Sequence, residues 1–443
     1  MLTLSSVLER GESSIPVAVI LVCYSCEVTK RAFYLRSYPL KDQEDLLRRT
    51  IGCCRLVYNK ALAVRRDAWD KDKRSIGYIE TSRMLTAWKK QLDLAFLNEA
   101  VAVPLQQALR HLHTAYTNFF KKRASYPAFK RKGHGGSAEF TRSAFRWDAQ
   151  TQTLTLTKMD KPLPIRWSRP LPSGVEPSTV TVSLDAAGRW HVSLLCEDAS
   201  IQPLPPLESA VGIDVGVSTL VAISTGETIA NRRHDERLMS RKKKLSRSLS
   251  RKKKGSKNWN KTRQKLARNH AHATDRRLDD THKLSTRLVR ENQVIVVEDL
   301  CLASMVRNRK LARVLYDAGL GELIRQLEYK SRWYGRNFLK IDRFYPSSKR
   351  CSCCGHVLDR LDLGVRHWTC PACEAEHDRD INAARNILAA GLAVTACGPD
   401  VRRHILRTME LLGLKQESSS VKKGIPPFSA GDVNYACRSS TSL

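Results

Sequence analysis

The chain has 443 residues and carries 76 Lys plus Arg against 44 Asp plus Glu, a formal net charge of +32, with 42% hydrophobic residues. That size holds about two to four domains and a real core. The basic excess points to a polyanionic partner, because contacts to a phosphate backbone release condensed counterions and supply affinity regardless of sequence. The thirteen cysteines do not fit a disulfide scaffold: the count is odd, the chain is long and four have metal-ligand spacing, which suits a reducing cytosol.

In chain order, the apolar run Ile15 to Tyr24 is too short to span a bilayer, and it lacks a basic leader and a small-residue cleavage site. Cys23 and Cys26 form a Cys-x-x-Cys with no second pair nearby, so no metal is expected there. Residues 30–40 read as a strand that Pro39 ends. From Lys41 the spacing of Leu46, Leu47, Ile51, Leu56 and Val57 predicts a helix, in a helical region that continues to about Phe120. The segment Phe119 to Lys132 interleaves aromatics with bases, which suits stacking plus phosphate contact. From Phe140 to Glu197 period two returns, as in Thr153–Thr157 and Val180–Leu184, with turn signals at Pro170, Pro172, Gly174 and Gly188. A β-rich module split around a helical insert is the economical description.

Pro203, Pro205 and Pro206 mark a linker. Beyond it Val211–Val217 is an apolar strand carrying Asp214 between glycines, followed by a second apolar run, Leu220 to Ile223, in the layout of an RNase H-like first hairpin. The tract Arg232 to Arg290 holds two basic runs spaced ten residues apart, starting at Arg241 and Arg251, with Leu238, Leu245, Leu249 and Leu266 as a weak apolar stripe. It reads as a helical hairpin with a charged face. Val294–Leu300 is an apolar run ending in Glu298 and Asp299, as a central strand does when its tip delivers a carboxylate to a cleft. Two knuckles follow, Cys351/Cys354 and Cys370/Cys373, separated by fifteen residues. Four such thiolates close a tetrahedral zinc site, and Cys353 stays outside it because adjacent sulfurs do not easily share one tetrahedron. Asp378 and Asp380 then open a small-residue helix, and past Gly398-Pro399 the polar tail is expected to be largely disordered.

Asp214, Glu298 and Asp380 together can hold two divalent ions for phosphodiester hydrolysis, and magnesium suits such oxygen ligands because it keeps several waters. Asp380 is preferred to Asp378, which reads as a helix cap. With these acids alongside, the basic residues Lys121, Lys122, Arg123, Lys130, Arg131, Lys132, Arg241, Lys242, Lys243, Arg251, Lys252 and Lys253 are candidate contacts to a nucleic-acid backbone.

Gly212-Ile213-Asp214-Val215-Gly216, Val297-Glu298-Asp299-Leu300, Ser347-Ser348-Lys349-Arg350-Cys351 and Asp378-Arg379-Asp380-Ile381-Asn382-Ala383-Ala384-Arg385-Asn386-Ile387 resemble the RuvC and zinc-finger motifs of the TnpB family. Tyr38-Pro39-Leu40, Cys54-Arg55-x-Val57-Tyr58-Asn59 and Tyr126-Pro127-x-Phe129-Lys130 resemble its amino-terminal signature, so the match runs from about residue 29 to 398. TnpB proteins are transposon-encoded RNA-guided DNA endonucleases related to the compact type V CRISPR effectors. The resemblance implies a multidomain α/β protein: a wedge β-barrel (29–40 and 131–205), a helical recognition domain inserted in it (41–130), an RNase H-like RuvC nuclease domain (206–347 and 375–398) and an inserted zinc ribbon (348–374). Residues 1–28 are then an extension outside the family, and 399–443 the tail. It also implies one structural zinc, magnesium or manganese in the nuclease site, a guide RNA from the transposon end and target double-stranded DNA as partners. No membrane or small-molecule substrate is expected, and the compartment is the prokaryotic cytoplasm. Sequence selection then rests on base pairing, with a short flanking motif read by the protein. Cys301 departs from the family pattern, where Asn is frequent. The alternatives are a nuclease-silent RNA-guided DNA-binding regulator, against which the three intact acids argue, and a transposase or transposase accessory DNA-binding protein, for which no recombinase motif is present.

Overall fold

The computed structural model describes residues 29–396 apart from 134 and 363, so the expected extension 1–28, with Cys23 and Cys26, and the tail 399–443 lie outside the described residues. The described chain forms two compact units, one of residues 29–201 and 240–272, the other of 202–239 and 273–396.

In the first unit β1 (Thr29–Ser37) buries Phe33, Leu35 and Ser37 in strict alternation. Pro39 stops it, and α1 (Lys41–Asp72) begins with Asp42 and Glu44 in its first turn, complementing the helix dipole, while the Gln43 side chain accepts from the Leu40 amide at 3.0 Å. Leu47, Ile51, Cys54, Tyr58, Ala61 and Leu62 make its buried stripe. Next come α2 (Tyr78–Lys90) and α3 (Ala102–Phe120), then β2 (Gly136–Thr141), β3 (Phe145–Asp148), β4 (Thr153–Leu156), β5 (Ile165–Arg166), β6 (Pro177–Leu184) and β7 (Trp190–Asp198). Five strands form an antiparallel sheet in the order β2-β6-β7-β1-β5, with β3 and β4 as a separate hairpin. Among the described residues β2 and β5 are sheet edges, so the pairing is that of an open sheet and a hairpin where a closed barrel was expected. The helical insert appears between β1 and β2 as expected. It shares one core with the sheet, in which Leu47, Leu62 and Leu105 meet Phe33, Phe140, Val180 and Leu194.

The second unit opens with β8 (Ala210–Val215), β9 (Thr219–Ile223) and β10 (Thr228–Ala230), followed by α4 (His234–Arg237). The basic helices α5 (Met239–Ser250) and α6 (Lys257–Glu291) come next. Residues 240–272 of these helices group with the first unit, where the sequence placed them with 206–347. The reason is a pair of long-range bonds that leave no local signature: Arg263 donates to the Gly133 carbonyl at 2.7 Å and Gln264 to the Ala187 carbonyl at 3.4 Å.

After α6 come β11 (Val294–Glu298), α7 (Leu302–Met305), α8 (Arg309–Ala318), α9 (Leu320–Trp333) and β12 (Asn337–Ile341). The sheet order is β10-β9-β8-β11-β12, with β8, β11 and β12 parallel and the two hairpin strands antiparallel. The continuous apolar run of β11 follows from cover on both faces. Ile295 and Val297 join Leu288, Leu323 and Leu327 in one core, and Val294 and Val296 join Ile341 and Ile387 in the other. Two short paired strands, β13 (His367–Thr369) and β14 (Glu376–Asp378), lead into α10 (Arg379–Ala396). No helix among the described residues is long and apolar enough to cross a membrane.

Candidate active site and metal ribbon

Parallel register decides which acids meet. Val297 lies opposite Ile213, and Glu298 opposite Ile341, so Asp214, Glu298 and Asp342 emerge side by side where β8, β11 and β12 end. The carboxyl edge of a parallel sheet is where α/β folds bind ligands. The helix α10 brings the third predicted acid there. A Cβ on Gly212 would collide with the Ala384 carbonyl and the Leu388 amide, so strand and helix touch backbone to backbone. From that contact Asp214 lies two strand residues onward and Asp380 four helix residues back, about 6 Å in each case.

The acids bear on one another's ionisation. Burial lifts the Asp214 carboxyl to about 6, with the Asp380 charge adding to the rise and the Val215 amide and Arg379 opposing it. Burial likewise lifts Glu298 to about 7, with Asp214 and then Asp342 adding to it. The structure therefore brings Asp214, Glu298 and Asp380 into one cluster and adds Asp342. Asp299, next in sequence to Glu298, points elsewhere and pairs with Arg343 at 2.7 Å. Asp378 accepts from the amides of Asp380 at 3.0 Å and Ile381 at 2.9 Å, which makes it the cap of α10. Arg366, just ahead of β13, donates to Asp380 at 3.3 Å and to Ser218 at 3.2 Å.

The thiol cluster is tighter. The ligand atoms of Cys351, Cys354, Cys370 and Cys373 all lie within 4.8 Å of one another, whereas among the described residues no such closed group includes the three acids. The Cys351–Cys373 and Cys354–Cys370 sulfurs are 3.7 Å and 3.6 Å apart. A tetrahedron with metal–sulfur bonds of about 2.3 Å has edges of about 3.8 Å, so the donor set fits zinc. Burial pushes the Cys351 thiol up, but the Cys354 and Cys353 amides and the His377 ring outweigh it and hold it at about 5. His377 Nε2 is 3.0 Å from the Cys351 sulfur, and Cys351, Cys353 and His377 form a second close-set group. The ribbon is tied to α10 by two asparagines. Asn382 donates to the Arg350 carbonyl at 2.7 Å and accepts from the Ser352 amide at 2.9 Å, and Asn386 donates to the Ser347 carbonyl at 2.8 Å.

Of the predicted backbone contacts, Lys121, Lys122, Arg123, Arg131, Lys132, Arg241, Lys243, Arg251 and Lys253 are exposed. Lys130 is half-buried with its ammonium 4.1 Å from the centre of the Tyr58 ring, and Lys252 bonds the Ser248 and Thr262 hydroxyls. Lys242 is only 5% exposed, because it lies on the inner side of α5. Asp342, Arg366 and His377 were given no role from the sequence, and Asn382 and Asn386 entered only as members of the family motif. Only the asparagines left a signal there, an i, i+4 repeat on one helix face.

Three family descriptions match the chain: the OrfB_IS605 probable transposase at residues 191–309, the Cas12f1-like TNB domain at 321–387 and the OrfB_IS605 helix-turn-helix domain at 29–74. The last span is here one strand and one unbroken helix, β1 and α1. A Streptomyces pristinaespiralis protein provisionally named an RNA-guided DNA endonuclease is 56% identical over 90% of this chain and 98% of its own length. The similarly named InsQ of Escherichia coli K12 is 33% identical over 84% of this chain and 95% of its own. Among solved structures, Cas12f1 in its sgRNA–target DNA complex matches with a TM-score of 0.48 and 15% identity, covering 81% of this chain and 98% of that one. The chain belongs to the IS605 OrfB family, the TnpB proteins.

Proposed function

We propose that the chain is an RNA-guided, divalent-metal-dependent DNA endonuclease encoded by an insertion-sequence transposon, which cuts DNA matched to a bound guide RNA beside a short flanking motif. The observation that carries this reading is the carboxylate cluster at the end of β8, β11 and β12, whose members oppose one another's ionisation. A fold gains nothing in stability from such a cluster, whereas a bound cation turns the same repulsion into attraction. The second unit is then the RNase H-like RuvC domain with its zinc ribbon, and the first unit the wedge and recognition elements.

Asp214, Glu298 and Asp380 would hold the cations, magnesium or manganese, with Asp342 adding charge beside Glu298. Such ions would supply Lewis acidity for phosphodiester hydrolysis. Asp378 fixes the first turn of α10 and hence the direction of Asp380. Arg366 donates to both Asp380 and Ser218 and so ties the acid to the turn after β8. Exposed bases of the first unit and of α5 neutralise the phosphates of guide and target. The setting is the cytoplasm of a prokaryote.

The protein purified with its RNA should cut a duplex in magnesium only when the duplex carries both the guide match and the flanking motif, with mismatches near the motif suppressing cutting more than distant ones. Equal cutting of unmatched duplex by RNA-free protein would reduce the reading to a nonspecific nuclease.

A further inference from the structure

At the end of α3 the chain leaves a large apolar ring in water. Phe120 is 72% exposed, with Tyr126 at 46% and Phe129 at 47% nearby in the sequence. The rings beneath are engaged: Tyr116 is buried, with the Arg65 guanidinium 3.8 Å from its ring centre. The Tyr126 ring meets Phe119 edge-on at 5.3 Å and Tyr116 at 5.6 Å, and its hydroxyl is 3.0 Å from that of Tyr116. Phe120 tilts against Phe119 at 5.4 Å and lies nearly parallel to the Tyr116 ring at 6.3 Å, and most of its remaining surface faces solvent. The turn that builds this cluster is itself strained. Lys122 takes a left-handed φ of 56° to close the helix, its amide bonding Phe119 and the next amide bonding Asn118. Glycine would fit there without strain, yet the position holds one of three consecutive exposed bases, Lys121, Lys122 and Arg123. No Asp or Glu occurs anywhere from residue 100 to 138, a stretch with seven Lys and Arg.

We infer that Phe120, buttressed by Phe119 and Tyr126 and flanked by Lys121 to Arg123, is a stacking platform for an unpaired base of the guide RNA. An open aromatic surface beside three exposed cations matches the two features of a single strand, a bare π-face and an adjacent phosphate. A duplex offers the phosphate but hides the base. RNA is the occupant because its loops and ends present unpaired bases before any DNA has been opened. The inference rests on the RNA-guided reading and adds a contact residue to it.

The test compares wild type, Phe120→Ala and Phe120→Trp, using as probe the RNA that copurifies with the wild-type chain, resynthesised and refolded. At an exposed position neither change disturbs folding. Phe120→Ala should weaken RNA binding about tenfold, the loss of one stacked base, and Phe120→Trp should restore it. The salt dependence should be unaltered by Phe120→Ala, because no charge is lost, while Lys121→Gln lowers the slope by about 0.7. RNA affinity unchanged in Phe120→Ala overturns the platform, as does a loss seen only when the loaded complex binds target DNA, which would make DNA the occupant. Wild-type protein in the same preparation must need RNA to cut matched duplex. If it does and Phe120→Ala loses nothing, the platform alone falls; if it does not, the RNA-guided reading falls.

Discussion

Two clusters of candidate metal ligands lie in one unit of this protein and are built on opposite principles. The four thiols converge within a ribbon whose buried core is Cys351, Trp368 and Cys370, a core that holds two of the ligands themselves. The carboxylates hang from the edge of a sheet covered on both faces, whose cores would persist if every one of them were removed. Under the proposed function a metal would be part of the fold in the first case and a tenant in the second. Removal of a ligand should unfold one cluster and only silence the other.

The largest contrast is expected from single ligands. Asp214→Ala, Glu298→Ala or Asp380→Ala should each take DNA cleavage below detection while leaving RNA binding and melting behaviour near wild type. Asp378→Ala, which removes a cap, should retain cleavage with a stability loss of about 1 kcal/mol. If Asp378→Ala abolishes cleavage and Asp380→Ala does not, the third acid has been misassigned. In the ribbon, Cys354→Ser should remove the zinc and open residues 348–374 to protease, because structural zinc contributes on the order of 10 kcal/mol to such small folds. Cys353→Ser should keep one zinc per chain by elemental analysis, and loss of the metal there would instead favour the group formed by Cys351, Cys353 and His377.

A smaller effect probes the link between the clusters. Asn382→Ala deletes two hydrogen bonds of a buried side chain, worth about 2 kcal/mol together. It should slow cleavage while zinc content and RNA affinity hold, because the ribbon then no longer sets the start of α10. Unaltered cleavage would mean that ribbon and acids are independent.

The smallest effect concerns acidity. Glu298 has its carboxyl raised from 4.5 to about 7, so folding disfavours its ionisation. The penalty is absent below about pH 4.5 and complete above about pH 7. Glu298→Gln should therefore stabilise the metal-free protein near pH 8, by on the order of 1 kcal/mol once solvent screening of this half-buried group is allowed for. The gain should vanish towards pH 4 in melts with chelator. Magnesium should reverse the order by stabilising wild type alone.

Most of the site could be read from the chain because each part has a local signature. Asp214 interrupts an apolar strand and Glu298 ends one, the cysteines keep knuckle spacing, and Asp380 lies just past the residue that caps its helix. What escaped depends on contacts between distant segments. Asp342 matters because β12 pairs in parallel with β11, and Arg366 because the ribbon folds back towards Ser218, 148 residues earlier. Lys242 looked like its neighbours in a basic run, yet helical phase turns it inward and its neighbours out. The regrouping of residues 240–272 has the same origin, since Arg263 and Gln264 find carbonyls 130 and 77 residues away.

The bare contact at Gly212 gives the acid cluster an unusual tolerance profile. Where side chains separate a helix from a sheet, every substitution in the intervening layer shifts the gap, and a catalytic distance drifts with the surrounding sequence. Here the closest approach of β8 and α10 is main chain to main chain at Gly212, with side chains such as Ile387 packing to either side. The height of Asp380 above Asp214 thus depends most directly on residue 212, where one added methyl group would push the helix off the strand.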